Sequence, residues 1–327
     1  MIINDLIKSV ITLFILMLPG FIMKKASFTP EGFGKGLSNL VLYIANPILV
    51  LYSFLSFSGG IKDIWLDAVL VLLLSVVAHT LFAVVSVFAF KKAPEAKRRL
   101  LELGTVFSNA AFMGIPLIEM LLGSEAAIYA SIYNIPFNFF LWTLGVHLCT
   151  SGREGDKIAN GRRSAIIRAT RKVLLHPTTI SSAIGIILLA VGANKVVFGV
   201  EIIADSLAMI KGLVAPLSMI VIGIRLADIN FRGFFNDVYM YAFLMLRHLL
   251  LPLAVVGVMK AVELCGVPLD ETVYVVTAIL AATPAASSAT MFAEMYDCDA
   301  LYASRLVAVS TILCIATMPL IVMIAQL

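Results

Sequence analysis

The fold is decided by two stretches, TVFSNAAFMGIPLIEMLLG from Thr105 to Gly123 and AILAATPAASSATMFAEM from Ala278 to Met295. Each stretch is long and apolar enough to enter a bilayer, yet each carries polar, glycine or proline residues at its centre. Proline removes a backbone donor and clashes with the preceding turn. Both stretches are therefore predicted to be membrane helices that are interrupted near the middle of the bilayer.

The composition around these stretches is that of a membrane protein. Of the 327 residues, 61% are hydrophobic and 13% are charged, which excludes a water-soluble globule. The long Leu, Val, Ile and Ala runs lack the alternation of a transmembrane barrel and indicate helices. The net charge of +4 is too small for a nucleic-acid partner, and the four cysteines lie too far apart for a metal site or a disulfide framework.

Apolar windows of about 20 residues divide the chain into ten predicted spans in two groups of five. The spans lie near residues 5–24, 36–56, 66–90, 100–122, 125–149, 177–195, 201–225, 238–262, 271–293 and 303–325. The predicted fold class is an all-α polytopic membrane protein. Its predicted parts are a first five-helix repeat at 1–149, a basic cytoplasmic linker at 150–176 and a second, inverted five-helix repeat at 177–327.

The cations of the sequence fix the predicted orientation. The connections that carry clusters of Lys and Arg follow the first, third and fifth spans. By the positive-inside rule this side faces the cytoplasm, so both termini are predicted to lie outside it. The expected location is the cell inner (plasma) membrane, which the chain crosses several times. The basic linker is interpreted as a solvated loop, with contact to anionic lipid as the alternative.

A short internal match suggests that the two groups of spans are copies. The run AIYAS at Ala127–Ser131 reappears as ALYAS at Ala300–Ser304, 173 positions further on. Because each copy holds an odd number of spans, the second copy must enter the membrane upside down. Inverted repeats of this kind build secondary transporters, which hold their substrate near the bilayer midplane between discontinuous helices.

The two interrupted centres supply most of the candidate substrate-binding residues. These are Ser108, Asn109, Gly114 and Pro116 in the first stretch and Thr283, Pro284, Ser287 and Ser288 in the second. Freed N–H groups at a half-helix N-terminus attract an anion, freed carbonyls attract a cation, and Asn, Ser and Thr complete either shell. Neither centre holds an ionisable residue, which disfavours cation/proton antiport and favours a small anion. The competing interpretation is that small residues and proline serve helix packing alone.

Four further polar residues lie within predicted spans. Asn134 and Asn138 are four positions apart and share a helix face, where they either extend the polar path or hydrogen-bond between helices. Arg247 is a candidate for coupling or gating, and it contacts substrate, snorkels to the interface or neutralises the carbonyl end of a broken helix. Glu119 is a protonation site if transport is proton-coupled, or else it reaches the outer interface.

Several motifs together resemble those of the auxin efflux carrier family, whose bacterial members are often described as permeases for malate, malonate or related acids. The motifs are LYIANPILVL in the second span, SNAAFMGIPL and GSEAAIYASIYN across the fourth and fifth, LRHLLLPL in the eighth, and TPAASSATMFAEMYDCDALYAS with STILCIATMPL in the last two. The resemblance extends over nearly the whole chain.

The resemblance implies a fold similar to that of the bile-acid sodium symporters. In that fold two sets of five helices form a scaffold (here spans 1, 2, 6 and 7) and a transport domain, and helices 4 and 9 cross. It further implies that Asn109, next to Pro116, and Pro284 receive the substrate's carboxylate, and that Asn46 and Pro47 kink the second span. The sequence departs from the family's paired prolines in having Thr283 before Pro284.

These observations predict a secondary transporter that moves a small organic mono- or dicarboxylate by alternating access, as an efflux carrier or uniporter. Proton- or sodium-coupled symport and a non-transporting membrane sensor are the alternatives. The absence of HExxH, GxSxG and Walker sequences argues against an enzyme or an ATP-driven pump. The expected partners are the anion and the lipid bilayer, and whether the protein forms a homodimer is left undecided. No cofactor is expected.

Overall fold

The computed structural model describes residues 2–150, 170–228 and 237–326, and this part of the chain is helical. The helices are α1 (Ile2–Lys25), α2 (Phe33–Leu55), α3 (Ile61–Ala89), α4 (Glu95–Val106), α5 (Ala110–Leu122), α6 (126–150), α7 (Pro177–Ala190), α8 (Asn194–Phe198), α9 (Glu201–Ala227), α10 (Val238–Leu264), α11 (Glu271–Ala282), α12 (Ser287–Met295) and α13 (Ala300–Ala325).

Six of these helices are long and apolar enough to cross a membrane, namely α1, α2, α3, α9, α10 and α13, and α5, α7 and α11 are shorter apolar helices. The predicted polytopic helical architecture is therefore present. The predicted spans 100–122 and 271–293 are each divided between two helices, α4 with α5 and α11 with α12. The ten-span count and the inverted repeat stay predictions, and residues 151–169 of the predicted linker lie outside the described part.

Three prolines inside apolar helices each follow a widened turn. Pro47, Pro116 and Pro252 stand at the start of an α-helical segment. The π-helical turns before them are Val41–Ala45, Ala110–Gly114 and Leu246–Leu250, respectively. A wider turn moves the preceding carbonyls away from the proline ring, which has no N–H to offer them. The predicted kink at Asn46 and Pro47 thus takes the form of a π turn in a helix that continues to Leu55.

One packing unit consists of α1, α2, α7 and α9, in which α1 packs on α9, α9 packs on α2 and α2 packs on α7. A Cβ atom added to Gly20 of α1 would lie 2.1 Å from the carbonyl oxygen of Ile220, and one added to Gly223 of α9 would lie 2.0 Å from that of Met17. Only glycine permits this close approach of the two backbones. In lipid the hydrophobic effect does not hold helices together, so the van der Waals contacts of such close packing stabilise the pair. We call this group the first unit.

A second unit is formed by the other long elements. Helix α3 packs on α6, α13 packs on α11 and α12, and α10 packs on α11. At Gly104 of α4 an added Cβ would lie 3.2 Å from the ring of Phe243 in α10. The two units meet along α1, α2, α5, α6, α9 and α13, and the contact is interrupted by the cavity described below.

The connections sort into two ends of the molecule. At one end Lys24 forms an ion pair with Asp228 (Nζ to Oδ1, 3.3 Å) and Lys97 forms one with Asp237 (Nζ to Oδ2, 2.8 Å). These residues belong to connections predicted to be cytoplasmic, so we call this the inner end. At the other, outer end the side chain of Glu125 accepts hydrogen bonds from the amide and hydroxyl of Ser58.

Candidate functional site

The two interrupted helices are joined at their breaks. The chain leaves α4 at Phe107, which is extended with φ −97° and ψ 117°, and it leaves α11 at Thr283 with φ −60° and ψ 151°. The amide of Asn109 donates to the carbonyl oxygen of Pro284 and the amide of Ala286 to that of Phe107, each at 2.8 Å. The two extended segments therefore form a short antiparallel bridge in the core of the protein.

The break in the second stretch lies where proline predicts it. Pro284 has no N–H to continue α11, which leaves the carbonyl oxygen of Leu280 without its helical donor. The hydroxyl of Thr283 donates a hydrogen bond to that oxygen at 2.8 Å. The amide of Ala285 donates to the hydroxyl oxygen of Ser310 at 2.8 Å, and that oxygen lies 2.8 Å from Nε2 of His248. The polar groups of this buried turn are thus supplied with partners by the neighbouring helices α10 and α13.

The break in the first stretch covers 107–109, which includes Ser108 and Asn109 of the predicted centre. The other two members of that centre, Gly114 and Pro116, lie within the helical turns that follow. Pro116 is accommodated by the preceding π turn, so it does not interrupt the helix. Gly114 serves packing, because a Cβ there would lie 2.6 Å from the side chain of Leu280 in α11.

A cavity that is partly open to solvent lies between the two units next to the breaks, and the empty space within it and in its solvent-filled mouth amounts to about 890 Å³. Its walls are apolar side chains of α2, α5, α6 and α12, among them Phe112, Phe137, Trp142 and Met291. Polar side chains also line it. Its Ser, Thr and Asn residues are Ser38, Asn46, Ser108, Asn109, Ser131, Asn134, Asn138, Thr178, Ser287 and Ser288. Apolar walls with a few convergent polar groups are typical of a small-molecule site.

Several of these polar groups are buried without a partner in the described part of the chain. They are Oδ1 of Asn46, Nδ2 of Asn109 and the hydroxyls of Ser108, Ser287 and Ser288. Nδ2 of Asn46 is satisfied by the carbonyl oxygen of Ala111 at 3.3 Å. Buried polar atoms are almost always hydrogen-bonded, so a cluster of orphans around one cavity indicates groups kept for water or a ligand.

Two cationic or titratable side chains on the cavity wall were not singled out by the sequence. Arg225 near the end of α9 donates from Nη1 to the carbonyl oxygen of Ser287 at 2.7 Å. His176, which immediately precedes α7, has its Nδ1 2.7 Å from the hydroxyl of Thr178. Burial lowers the pKa of His176 below its ordinary value near 6.5, so the ring is neutral at pH 7. Arg225 was missed because it falls at the edge of a predicted span, where a basic residue usually marks the interface.

The structure separates the predicted substrate-binding residues into two groups. Asn46, Ser108, Asn109, Asn134, Asn138, Ser287 and Ser288 line the cavity together. Pro47, Gly114, Pro116, Thr283 and Pro284 do not line it. The members of the second group shape the backbone: prolines end or widen helical turns, Gly114 permits close packing, and Thr283 caps α11.

Arg247 and Glu119 also lie away from the cavity. Arg247 is fully buried in α10 and donates from Nη2 to the carbonyl oxygen of Thr283 at 2.6 Å. Glu119 lies at the end of α5 that faces the outer end, where it forms an ion pair with Lys211 of α9. Lys211 also donates to the hydroxyl of Ser124 at 2.7 Å and lies 4.2 Å from the ring centre of Tyr52.

An interrupted pair of helices around a polar-lined cavity, in a bundle of membrane-length helices, defines the class of helical membrane transporters. The sequence pattern of the family described as membrane transport protein, which is of the auxin efflux carrier type, matches residues 5–322. The chain belongs to this family.

Two archaeal relatives agree with the family. An uncharacterized transporter of Methanothermobacter thermautotrophicus is 25% identical over 317 residues, which cover 96% of each chain. The uncharacterized transporter MJ1031 of Methanocaldococcus jannaschii is 25% identical over 222 residues, which cover 67% of this chain and 68% of the relative.

Proposed function

We propose that the protein is a secondary transporter that moves a small organic anion, a mono- or dicarboxylate, across the cell inner membrane by alternating access. The observation that carries the proposal is the set of unpartnered donors at the paired breaks. Nδ2 of Asn109 and the hydroxyls of Ser108 and Ser287 are buried beside one cavity without protein acceptors. An anion with carboxylate oxygens supplies acceptors for all of them.

The charge of the cavity favours the same ligand. Arg225 contributes a cation, and within the described residues no Asp or Glu lines the cavity. Helix α12 begins at Ser287, so its first amides have no partner within the helix and present positive partial charge at this point. At the inner end of the cavity Lys172 lies 4.3 Å from the ring centre of Trp142. The apolar walls then accommodate the carbon skeleton of the anion.

The two ends of the molecule support a mechanism of alternating access. The cavity extends towards the inner end, where Ser38, His176 and Arg225 line it. At the outer end the Lys211–Glu119 ion pair joins α9 of the first unit to α5 of the second. The proposed cycle starts from this inward-facing arrangement, with the first unit as scaffold and the second as the moving part. Opening the outer end requires that this ion pair break.

Uniport is the simplest energetic scheme. In a cell with an inside-negative potential, each exported negative charge gains about 2.3 kcal/mol per 100 mV, so export of a monoanion needs no coupled ion. Glu119 was the candidate for proton coupling, but its ion pair with Lys211 at the outer end favours a gating role. The ten spans in inverted repeats, the outside termini and a homodimer belong to this proposal as further expectations.

A ligand screen on the purified protein tests the proposal. Thermal unfolding is followed with a panel of mono- and dicarboxylates, using wild type, Asn109→Ala and Ser53→Ala. Ser53 is a matched control, because its buried hydroxyl lies outside the cavity lining and already donates to the carbonyl oxygen of Leu49 at 2.9 Å. We expect at least one carboxylate to stabilise wild type and the control but not Asn109→Ala. A panel without any shift contradicts the proposal and favours a membrane sensor.

A further inference from the structure

Arg247 lies between the carbonyl ends of both interrupted helices. It is 0% exposed to solvent and belongs to the π turn Leu246–Leu250 of α10. Nη2 donates to the carbonyl oxygen of Thr283, where α11 ends, at 2.6 Å. Nη1 is 3.4 Å from the carbonyl oxygen of Thr105 in the last turn of α4. One guanidinium therefore serves both breaks, and it does not line the cavity.

In the described part of the chain, the charge of Arg247 interacts with these two helix ends and not with a carboxylate. Within the described residues no carboxylate forms an ion pair with Arg247, and Nε has no partner. Its guanidinium carbon lies 5.2 Å from the ring centre of Phe82. A buried cation without a carboxylate is costly unless other negative charge compensates it. The available compensation is the negative end of each helix macrodipole, where the last carbonyls have no amide donor.

We infer that Arg247 is a resident counter-cation for the paired breaks, and that it fills the role which an alkali ion would play at such a carbonyl site. Freed carbonyls at helix C-termini are the groups that bind Na⁺ in transporters with broken helices. Here a covalently attached guanidinium already satisfies them. Arginine remains charged at every physiological pH, so the site has no empty state to which an ion could couple.

The consequence for transport is independence from sodium, a consequence that rests on the proposed function. The role of Arg247 itself does not require a substrate, because it concerns the stability of the two breaks. Arg247 is a positioning residue in this account, since it contacts neither the cavity nor the proposed anion.

The test uses the full-length purified protein and no substrate. Thermal unfolding is measured for wild type, Arg247→Ala, Arg247→Lys and the control Lys260→Ala. Lys260 is a cation of the same helix whose side chain is 47% exposed and 3.9 Å from Glu263. Each protein is measured in equimolar NaCl, KCl and choline chloride, and again with methylguanidinium chloride at a concentration that leaves wild type unchanged.

We expect the unfolding midpoint of Arg247→Ala to fall by roughly 5 to 10 °C and methylguanidinium to restore at least half of that loss. Arg247→Lys should lose less, since it keeps the charge, and Lys260→Ala should lose little. Wild type should unfold at the same temperature in all three salts. If Arg247→Ala cannot be purified, Arg247→Gln and Arg247→Lys decide the matter, and a Lys variant as poor as the Gln variant overturns the inference.

Two further results would also overturn it. One is an Arg247→Ala midpoint equal to that of wild type, and the other is stabilisation of wild type by Na⁺ over choline. A sodium requirement for anion flux through wild type would reject sodium independence while leaving the proposed transport function intact. Absence of any flux would reject the function and leave the stability result to stand by itself.

Discussion

The main-chain amide of Asn109 lies 2.8 Å from the main-chain carbonyl oxygen of Pro284 and donates a hydrogen bond to it. Asn109 presents an unpartnered side-chain Nδ2 at the cavity, and its backbone is held in place by Pro284, which follows the end of α11. Each break holds the other in its extended form. A change on either side of this pair is expected to disturb both halves of the candidate site.

The orphaned hydroxyls provide the first prediction. Ser108→Ala and Ser287→Ala each remove a buried hydroxyl that has no protein partner, so neither loses a native hydrogen bond. We expect unfolding temperatures equal to or above that of wild type. The affinity for the anion should fall by roughly 10- to 150-fold in each variant, since a hydrogen bond to a charged group contributes roughly 1.5 to 3 kcal/mol.

Calorimetric titration of wild type and both variants with the best carboxylate of the screen checks this prediction. Ser53→Ala is the control and should keep full affinity. Unchanged affinity in both cavity variants would show that these hydroxyls do not contact the anion.

Arg225 provides the second prediction. Its guanidinium lies on the cavity wall, where it can pair with the anion. Arg225→Gln should therefore weaken anion binding by roughly tenfold or more. Lys24→Gln is the matched control, because Lys24 is a cation at the same inner end whose partner is Asp228 at 3.3 Å. Equal affinities of the two variants, measured by titration, would show that Arg225 does not bind the anion.

A pH dependence follows from His176. Burial lowers the pKa of its ring below the ordinary value near 6.5, so the ring is neutral at pH 7 and gains its charge only as the pH falls through that lowered pKa. Protonation adds a cation to the cavity wall, and anion affinity should therefore rise on acidification. The probe must be an anion that stays ionised over the whole range.

His176→Gln keeps a polar group beside Thr178 but cannot titrate, so its affinity should not rise in acid. Parallel titrations of wild type and the variant between about pH 7 and pH 4 make the comparison. The same acid-side rise in the variant would assign the pH dependence to another group.

The outer ion pair provides a test of the conformational cycle. A reducible bis-thiosulfonate crosslink between Glu119→Cys and Lys211→Cys, in a background without the native cysteines, spans the space of the two long side chains and joins the two units at the outer end. We expect crosslinking to abolish anion flux and reduction to restore it, while binding from the inner side persists.

The control pair is Lys24→Cys with Asp228→Cys. It joins residues at the inner end of α1 and α9, within the first unit, and should leave flux unchanged. Full flux through the crosslinked Glu119→Cys/Lys211→Cys protein would contradict the proposed opening of the outer end.

The sequence predicted the membrane helices and an interruption in each of the two stretches, but it located only the second break from a local physical cause. Long apolar runs are visible without a structure, and Pro284 removes the donor that α11 would need. The break at 107–109 contains no proline or glycine, and it depends on bridging to the segment around Ala285. Such pairing joins residues far apart in the sequence, so local propensity cannot reveal it.

The remaining parts of the site were hidden for a similar reason. Arg225 looks like a flanking basic residue in sequence, and only the packing of α9 brings it to Ser287. The sequence left Arg247 open between substrate contact, snorkelling and a role at a carbonyl end, and the contacts with Thr105 and Thr283 favour the last role. The proposed gating role of Glu119 follows from its ion pair with Lys211, which lies in the other unit and far away in the sequence.

Potential-driven anion flux in proteoliposomes tests the central claim most directly. The protein is reconstituted with the carboxylate that stabilises it, without sodium or a pH gradient, and a potassium diffusion potential is imposed. We predict that the flux through wild type changes with the size and sign of the potential and that Asn109→Ala carries none. A wild-type flux that ignores the potential would contradict uniport, and no wild-type flux at all would contradict the proposed transport function.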